Sequence, residues 1–344
     1  MGSVSVCTEG RGCKVTKEEI LNSENLKRRF AKDTRIPLTL YRNPYFEDRI
    51  NLYNRSGMFG NILYKWNRYC EMISEFKSEQ DYFEHYGEVK DGIIDTIKGS
   101  EAYDRFNTMD MNPFGVSTNL PKKDLFKPSF SGRYFVSIDM KQANFAALHK
   151  YDPAMFNGFD TWEEFVGQFT TYNHIIESKY IREATLGNCN PKRHITYERW
   201  LMSIFLGEFT MYGNTLGYRW EDNIVFFSND EVVFDVTDMD STEVKILKTS
   251  VDVNMGLLRP IEMHVNHFRL VYIPEIDGYI EIDTETKKLT PKAVNSYMLP
   301  FLCCKLMDKE PTDSDMVFEH PNVKGVLARF LGAPEFELPE EIMK

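Results

Sequence analysis

Apolar and polar positions alternate with two different periods along this chain, and the change of period divides it. Residues Lys17–Lys32 place Ile20, Leu21, Leu26 and Phe30 on one stripe, which predicts an amphipathic helix with the cations Lys27, Arg28, Arg29 and Lys32 toward its C-terminal end. From Tyr45 to Lys98 the pattern stays helical and rich in Tyr, Phe and Met. Residues 107–132 carry Pro113, Gly115, Pro121, Pro128 and Gly132, a connecting stretch that suggests a domain boundary. Then Arg133–Asp139 is a compact β-prone run ending in an acid. Helical patterns follow over Gln142–Tyr151, Thr161–Thr171 and His174–Leu186. Asn190-Pro191, as cap and first turn, opens a longer helix to about Tyr212. Two apolar strands, Asn223–Ser228 and Glu231–Val236, flank Asn229-Asp230. A helix over Thr242–Val251 and a strand over Pro260–Ile273 complete the order β–α–β–β–α–β, the ferredoxin-like arrangement of an α+β fold. A hairpin near Asp277–Gly278 and an acidic tail finish the chain. The expected organisation is a mainly helical region over 1–130, a ferredoxin-like domain over 131–275 and a C-terminal hairpin, helix and tail over 276–344.

Composition adds limits. With 42% hydrophobic and 27% charged residues the chain is globular in character, and 14% aromatics leave ring surface for cores or base stacking. No apolar run is long enough for a membrane span, so no membrane partner is expected. The N-terminus has no signal-like pattern, and Val6 stands where a myristoylation motif wants Ser or Thr. Residues 1–16 are expected to be loosely ordered. Cys7, Cys13, Cys70, Cys189, Cys303 and Cys304 make no C-x-x-C pair and no zinc spacing, and suggest reduced thiols of a cytoplasmic protein. His264 and His267 alternate across a strand and do not pair on one metal.

Net charge is −11, yet residues 1–70 hold 13 Lys/Arg against 7 Asp/Glu. A second basic cluster comprises Lys179, Arg182, Lys192, Arg193 and Arg199. This asymmetry permits a basic groove on an acidic protein, though solvated helix faces account for it equally well. Lys245 and Lys248 suit a solvated face. The tail over 306–344, with nine acids to four cations, favours a protein partner.

The chemistry lies in two acidic positions. Asp139 ends a buried strand and is followed at once by a helix. Asp230, with Glu231 beside it, occupies the tight turn of a hairpin with almost wholly apolar arms. Each alone fits an ordinary strand end or an Asn-Asp turn. Together, on neighbouring strands, they suit Mg²⁺ or Mn²⁺ held by carboxylates and phosphates.

The stretch Asp139-Met-Lys-Gln-Ala-Asn-Phe145 resembles the first palm motif of reverse transcriptases and family A DNA polymerases. Ser228-Asn-Asp-Glu-Val-Val-Phe-Asp-Val236 is similar to the family A hairpin and to the two-acid turn of reverse transcriptases. The resemblance covers about 140 residues, roughly 133–273. It implies a palm in which Asp139 and Asp230 are metal ligands, Glu231 is an auxiliary acid and Asn144 faces the incoming sugar. Lys141, Lys179, Arg182, Lys192, Arg193 and Arg199 are then the cations available to a triphosphate and nucleic acid. The chain departs from the pattern in three respects, one being that no segment cleanly matches the family A fingers helix with its Arg, Lys and aromatic at fixed steps. Asp230 follows Asp139 by 91 residues, a spacing closer to reverse transcriptases than to family A enzymes. Asn144 is neither the Glu nor the bulky aromatic that commonly excludes a ribose 2′-hydroxyl. The implied function is nucleic-acid polymerisation on a primer–template or single strand with nucleoside triphosphates, by a viral or mobile-element enzyme or one subunit of a larger polymerase. A catalytically inactive palm- or RRM-like RNA-binding or accessory subunit, and an acidic α+β interaction protein, are the alternatives.

Overall fold

Thr16 and Glu19 form a reciprocal capping box that starts α1 (Lys17–Asn22). Ser23, in extended conformation, both ends α1 and caps α2 (Glu24–Thr34) through the Leu26 N–H. The single helix expected over Lys17–Lys32 is therefore two, because the Ser23 hydroxyl offers the backbone a competing partner. Next come α3 (Tyr45–Ser56), α4 (Ile62–Ile73), α5 (Glu79–Gly99) and α6 (Glu101–Thr108). After the connecting stretch lie β1 (Tyr134–Met140), α7 (Ala143–Tyr151), α8 (Trp162–Val166), α9 (Asn173–Ile176), α10 (Lys179–Gly187) and α11 (Pro191–Thr215). The hairpin β2 (Ile224–Phe227) and β3 (Glu231–Asp235) precedes α12 (Ser241–Val253) and β4 (Met263–Ile273). The chain finishes with β5 (Gly278–Asp283), β6 (Leu289–Lys292), α13 (Leu299–Leu306), β7 (Val317–Glu319), β8 (Leu327–Arg329) and α14 (Glu340–Met343). This computed structural model describes residues 14–117, 119–121, 125–256, 258–323 and 325–343. The loose order expected of residues 1–16 thus falls mostly outside the described residues, as do Cys7 and Cys13. Cys70, Cys189, Cys303 and Cys304 are free thiols.

Three expected helices differ in detail. The segment Thr161–Thr171 is helical only over Trp162–Val166, stopping before Gly167. The segment His174–Leu186 breaks into α9 and α10 at Ser178, whose hydroxyl accepts from the Ile181 N–H and donates to Asp33. Asn190 does not cap α11 with its side chain. It sits in the left-handed region at φ 60°, and its amide donates to Asn107 at 2.5 Å.

The chain divides into two compact units. The first comprises Met1–Ile93, Val166–Ile181 and Ser296–Pro334. Its core is aromatic: Phe30, Phe46, Trp66 and Tyr69 pack with ring centroids about 5–6 Å apart. Asp33 is sealed inside, accepting from Arg29, Tyr86, Ser178 and His174. Burial alone would raise its carboxyl, but the His174 hydrogen bond and the Arg29 charge hold it below the usual range. Arg49 on α3 bonds Asp315 at 2.5 Å and donates to the carbonyls of Ser314, Asp315 and Val317.

The second unit comprises Ile94–Phe165, Arg182–Asn295 and Glu335–Lys344. It holds a six-stranded antiparallel sheet in the order β2-β3-β1-β4-β5-β6, so the protein is α+β. One face of β1 and β3, with Val136, Ile138, Val232 and Phe234, meets α11 through Phe209, 5.7 Å from Phe234. The other face holds Phe135, Val233, Phe268, Leu270 and Tyr279, covered by Leu125, Phe126 and Phe130. Phe209 also stacks on Trp220 at 4.7 Å, and Trp220 on Tyr218 at 5.9 Å.

Two expected outcomes follow from this packing. A Cβ on Gly213 would stand 2.6 Å from the Trp220 ring, which its stacked neighbours hold in place. Gly213→Ala should therefore destabilise the second unit by ~1–3 kcal/mol in denaturant unfolding, despite better helix propensity. Asp315→Ala leaves the Arg49 guanidinium buried without its counter-ion and should lower first-unit stability by ~3–5 kcal/mol by the same measurement.

Candidate active site

The site is built by the ladder between β1 and β3. Its register sets Ser137 opposite Val233 and Asp139 opposite Glu231. The Met140 N–H donates to the Asp230 carbonyl at 2.8 Å, so pairing continues into the turn. Asp139, Asp230 and Glu231 therefore occupy adjacent backbone positions at one end of the sheet. The turn is tied by Ser228. Its N–H donates to the Glu231 carbonyl at 2.8 Å, while its hydroxyl accepts from the Glu231 N–H and donates to the Asp230 carboxylate at 3.0 Å.

Side-chain directions follow the pleat. Asp139 and Glu231, directly opposed, share a face with Phe135 and Val233, with Cβ atoms about 5 Å apart. The Ser137 hydroxyl donates to Glu231 at 2.5 Å. Asp230 lies opposite Met140 and so starts toward the α11 side, from the turn where the pleat ends. The direct cross-strand neighbour of Asp139 is thus Glu231, and Asp230 comes one position later.

Electrostatics mark the same end of the sheet. Burial raises the Glu231 carboxyl; the Ser137 hydrogen bond opposes this and the Asp230 charge adds to it. On α11, Glu198 is 7% exposed, and burial together with the Asp230 charge pushes its carboxyl up to about 7. Glu281 on β5 is likewise raised by burial, against its 3.2 Å bridge to Lys292. Glu198 was legible in principle: it falls on the buried stripe of His194, Leu201, Met202 and Phe205, where an acid is out of place.

The loop after Asp139 makes further contacts. Lys141 is exposed and bonds Glu262 at 2.6 Å. Gln142, left-handed at φ 52°, donates to Glu163 at 2.9 Å; the Glu163 charge partly offsets the burial that lowers the Arg182 guanidinium. That Gln142–Glu163 contact had no sequence signal beyond the residue types. Asn144, half-buried in the first turn of α7, accepts from the Phe145 N–H at 2.9 Å. A cleft of about 280 Å³ opens here, lined by Lys141, Gln142, Phe145, His149, Glu163 and Glu262.

The remaining cations are not one cluster. Arg193 donates to the carbonyls of Phe106 and Met109, closing the end of α6, which occupies its guanidinium. Lys192 is exposed on α11. Arg182 and Arg199 each bury a guanidinium Nε with no hydrogen-bond partner among the described residues. Lys179 belongs to the first unit, where it lines a cavity of about 550 Å³ with Asp33, Arg35, Lys65 and Arg68. Among the described residues, no three His, Cys, Asp or Glu side chains are gathered as a ready metal cage, and no helix is long and apolar enough to cross a membrane.

Comparison with protein-family models, curated proteins and solved structures finds no match.

Glu198 sets a pH dependence. Its folded carboxyl titrates near 7 against 4.5 when unperturbed, so between those values the folded chain keeps a proton the unfolded chain has lost. Its favourable contribution is complete below the unfolded value and is lost as pH rises through about 7. Glu198→Gln should remove that slope. In guanidinium unfolding of metal-free protein it should gain on the order of 2 kcal/mol over wild type at pH 8, with near equality at pH 4.5.

Proposed function

We propose that the second unit is a polymerase-type palm carrying out nucleotidyl transfer on nucleic acid, with Asp139 and Asp230 as ligands to Mg²⁺ or Mn²⁺. The observation that carries this reading is the β1–β3 register, which sets Asp139 directly opposite Glu231 and one position from Asp230 at the end of the sheet; Asp230 would reach a shared ion from the turn, where the pleat ends. The strand order β2-β3-β1-β4 is the one a ferredoxin-like βαββαβ palm requires, with β5 and β6 added beyond β4.

The donor chemistry fits a hard divalent cation. Asp139, Asp230, Glu231 and Glu198 are acids within the ladder end or against it, and burial raises two of them. Such crowding is costly without a compensating positive charge. When bound, the metal would lower the barrier for attack by a hydroxyl and stabilise the departing pyrophosphate. The residues have separable tasks. Asp139 and Asp230 supply oxygen ligands. Glu231, fixed by Ser137, adds negative charge beside them. Lys141, Arg182 and Arg199 are the second unit's candidates for triphosphate oxygens, and the unpartnered Nε of both arginines suits an anion. Asn144 would approach the sugar. Arg193 is committed to α6, and we assign it no substrate contact. A protein partner subunit is consistent with the acidic tail.

The test is incorporation of labelled nucleotide into primer–template by the intact chain with Mg²⁺ or Mn²⁺. Wild type should incorporate, and Asp230→Asn or Asp139→Asn should lose on the order of 10²–10³-fold in rate. Salt-sensitive nucleic-acid binding without incorporation would replace this reading with that of a binding scaffold. Absence of both would leave an interaction protein.

A further inference from the structure

The alternation expected of His264 and His267 holds: His264 lies opposite Asp139 and His267 opposite Val136. The same register gives His264 a different partner. Glu231, Asp139 and His264 stand directly opposite one another on β3, β1 and β4. Directly opposed residues of an antiparallel ladder present their side chains to one face, with Cβ atoms about 5 Å apart. Two carboxylates and an imidazole therefore form a single row across the end of the sheet.

The surroundings distinguish this row from an ordinary solvated strand end. The next row on the face is Val233, Ser137 and Asn266, and below it lie Phe135 and Phe268 against Leu125 and Phe130. A partly polar row, with Ser137 and Asn266, thus separates the acids and His264 from the apolar cluster of Phe135 and Phe268, where Asp235 stands opposite Phe135. His264 is exposed, and its imidazole makes no hydrogen bond or ion pair among the described residues. Lys141, near the same strand end, is by contrast engaged by Glu262 at 2.6 Å.

We propose that His264 supplies a nitrogen ligand to the ion that Asp139 holds, so that the site takes Mn²⁺, or another divalent ion that accepts imidazole, in preference to Mg²⁺. This rests on the reading of Asp139 as a metal ligand but not on polymerisation. Mg²⁺ keeps to oxygen donors and retains its waters, whereas imidazole is a common ligand of the later divalent ions. The register sets Asp139 and His264 directly opposite one another on one face, which places a carboxylate and an imidazole on either side of the position a shared ion would take. A histidine here narrows the choice of metal where an all-carboxylate row would leave it broad.

Pulsed electron paramagnetic resonance of Mn²⁺ added to the metal-free intact chain tests this directly. The expected result is ¹⁴N coupling from one imidazole, lost in His264→Gln and retained in His267→Gln. In parallel titrations His264→Gln should weaken Mn²⁺ about tenfold while changing Mg²⁺ affinity less than twofold. Matching circular dichroism and thermal midpoints would establish that the variant is folded, and the wild-type spectrum needs no variant at all. Bound Mn²⁺ without nitrogen coupling, or coupling that survives His264→Gln, overturns the proposal. Nitrogen coupling in a chain that incorporates no nucleotide keeps the metal site and retires the polymerase reading. Incorporation without nitrogen coupling does the reverse.

Discussion

The second unit depends on the register of β1 against β3. Side chains on a strand alternate with period two, so a slip of one residue would exchange Asp139 for Met140 on each face. It would drive a carboxylate toward the helices and a thioether toward the polar row. The register is held from both sides at once. Phe135, Val233 and Phe268 are buried on one face, and Val136, Ile138, Val232 and Phe234 on the other. Ser228 then closes the hairpin so that Asp230 and Glu231 arrive in phase with the end of β1. Because β1 lies between β3 and β4 and is covered on both faces, it has little freedom to move.

That rigidity makes an expensive charge arrangement sustainable. Glu231, Glu198 and Glu281 are each raised chiefly by burial, while Lys292 bridges Glu281 and its charge also favours ionised Glu231. Packing elsewhere must offset their cost. A fold selected for stability alone would put apolar residues at positions 198 and 231. On the proposed reading, buried acids on a stiff scaffold are what a preorganised cation site needs, since its ligands could not relax away from one another.

In the first unit, charge is used for assembly. Lys27 is 1% exposed and pairs with Glu47, Arg29 pairs with sealed Asp33, and Arg49 pairs with Asp315. Part of the positive balance of residues 1–70 is thus consumed inside the unit. The cations on α2 also complete a packed core, beyond any favourable interaction with the helix dipole. Less of this charge is available to nucleic acid than the count suggests, and Arg35, Lys65 and Arg68 around the larger cavity are among the cations that reach the surface.

By itself the sequence determined the order β–α–β–β–α–β and the helical texture of residues 45–98, because periods of 2 and 3.6 are local properties of the chain. It also placed Asp139 at a strand end and Asp230 in a turn, since turn chemistry and apolar runs are local too. The breaks at Ser23 and Ser178 were harder to see, because a serine within a helical pattern ends it only when its hydroxyl finds the right partner. Tertiary structure alone decided which residues meet. Glu231, ahead of Asp230, became the direct neighbour of Asp139, and His264, already expected on the face away from His267, joined the same row. Arg193 was committed to the end of α6, and Lys179 was assigned to the other unit. These outcomes depend on strand register and long-range packing, which no local pattern encodes, because the contacting residues lie tens to hundreds of positions apart in the chain.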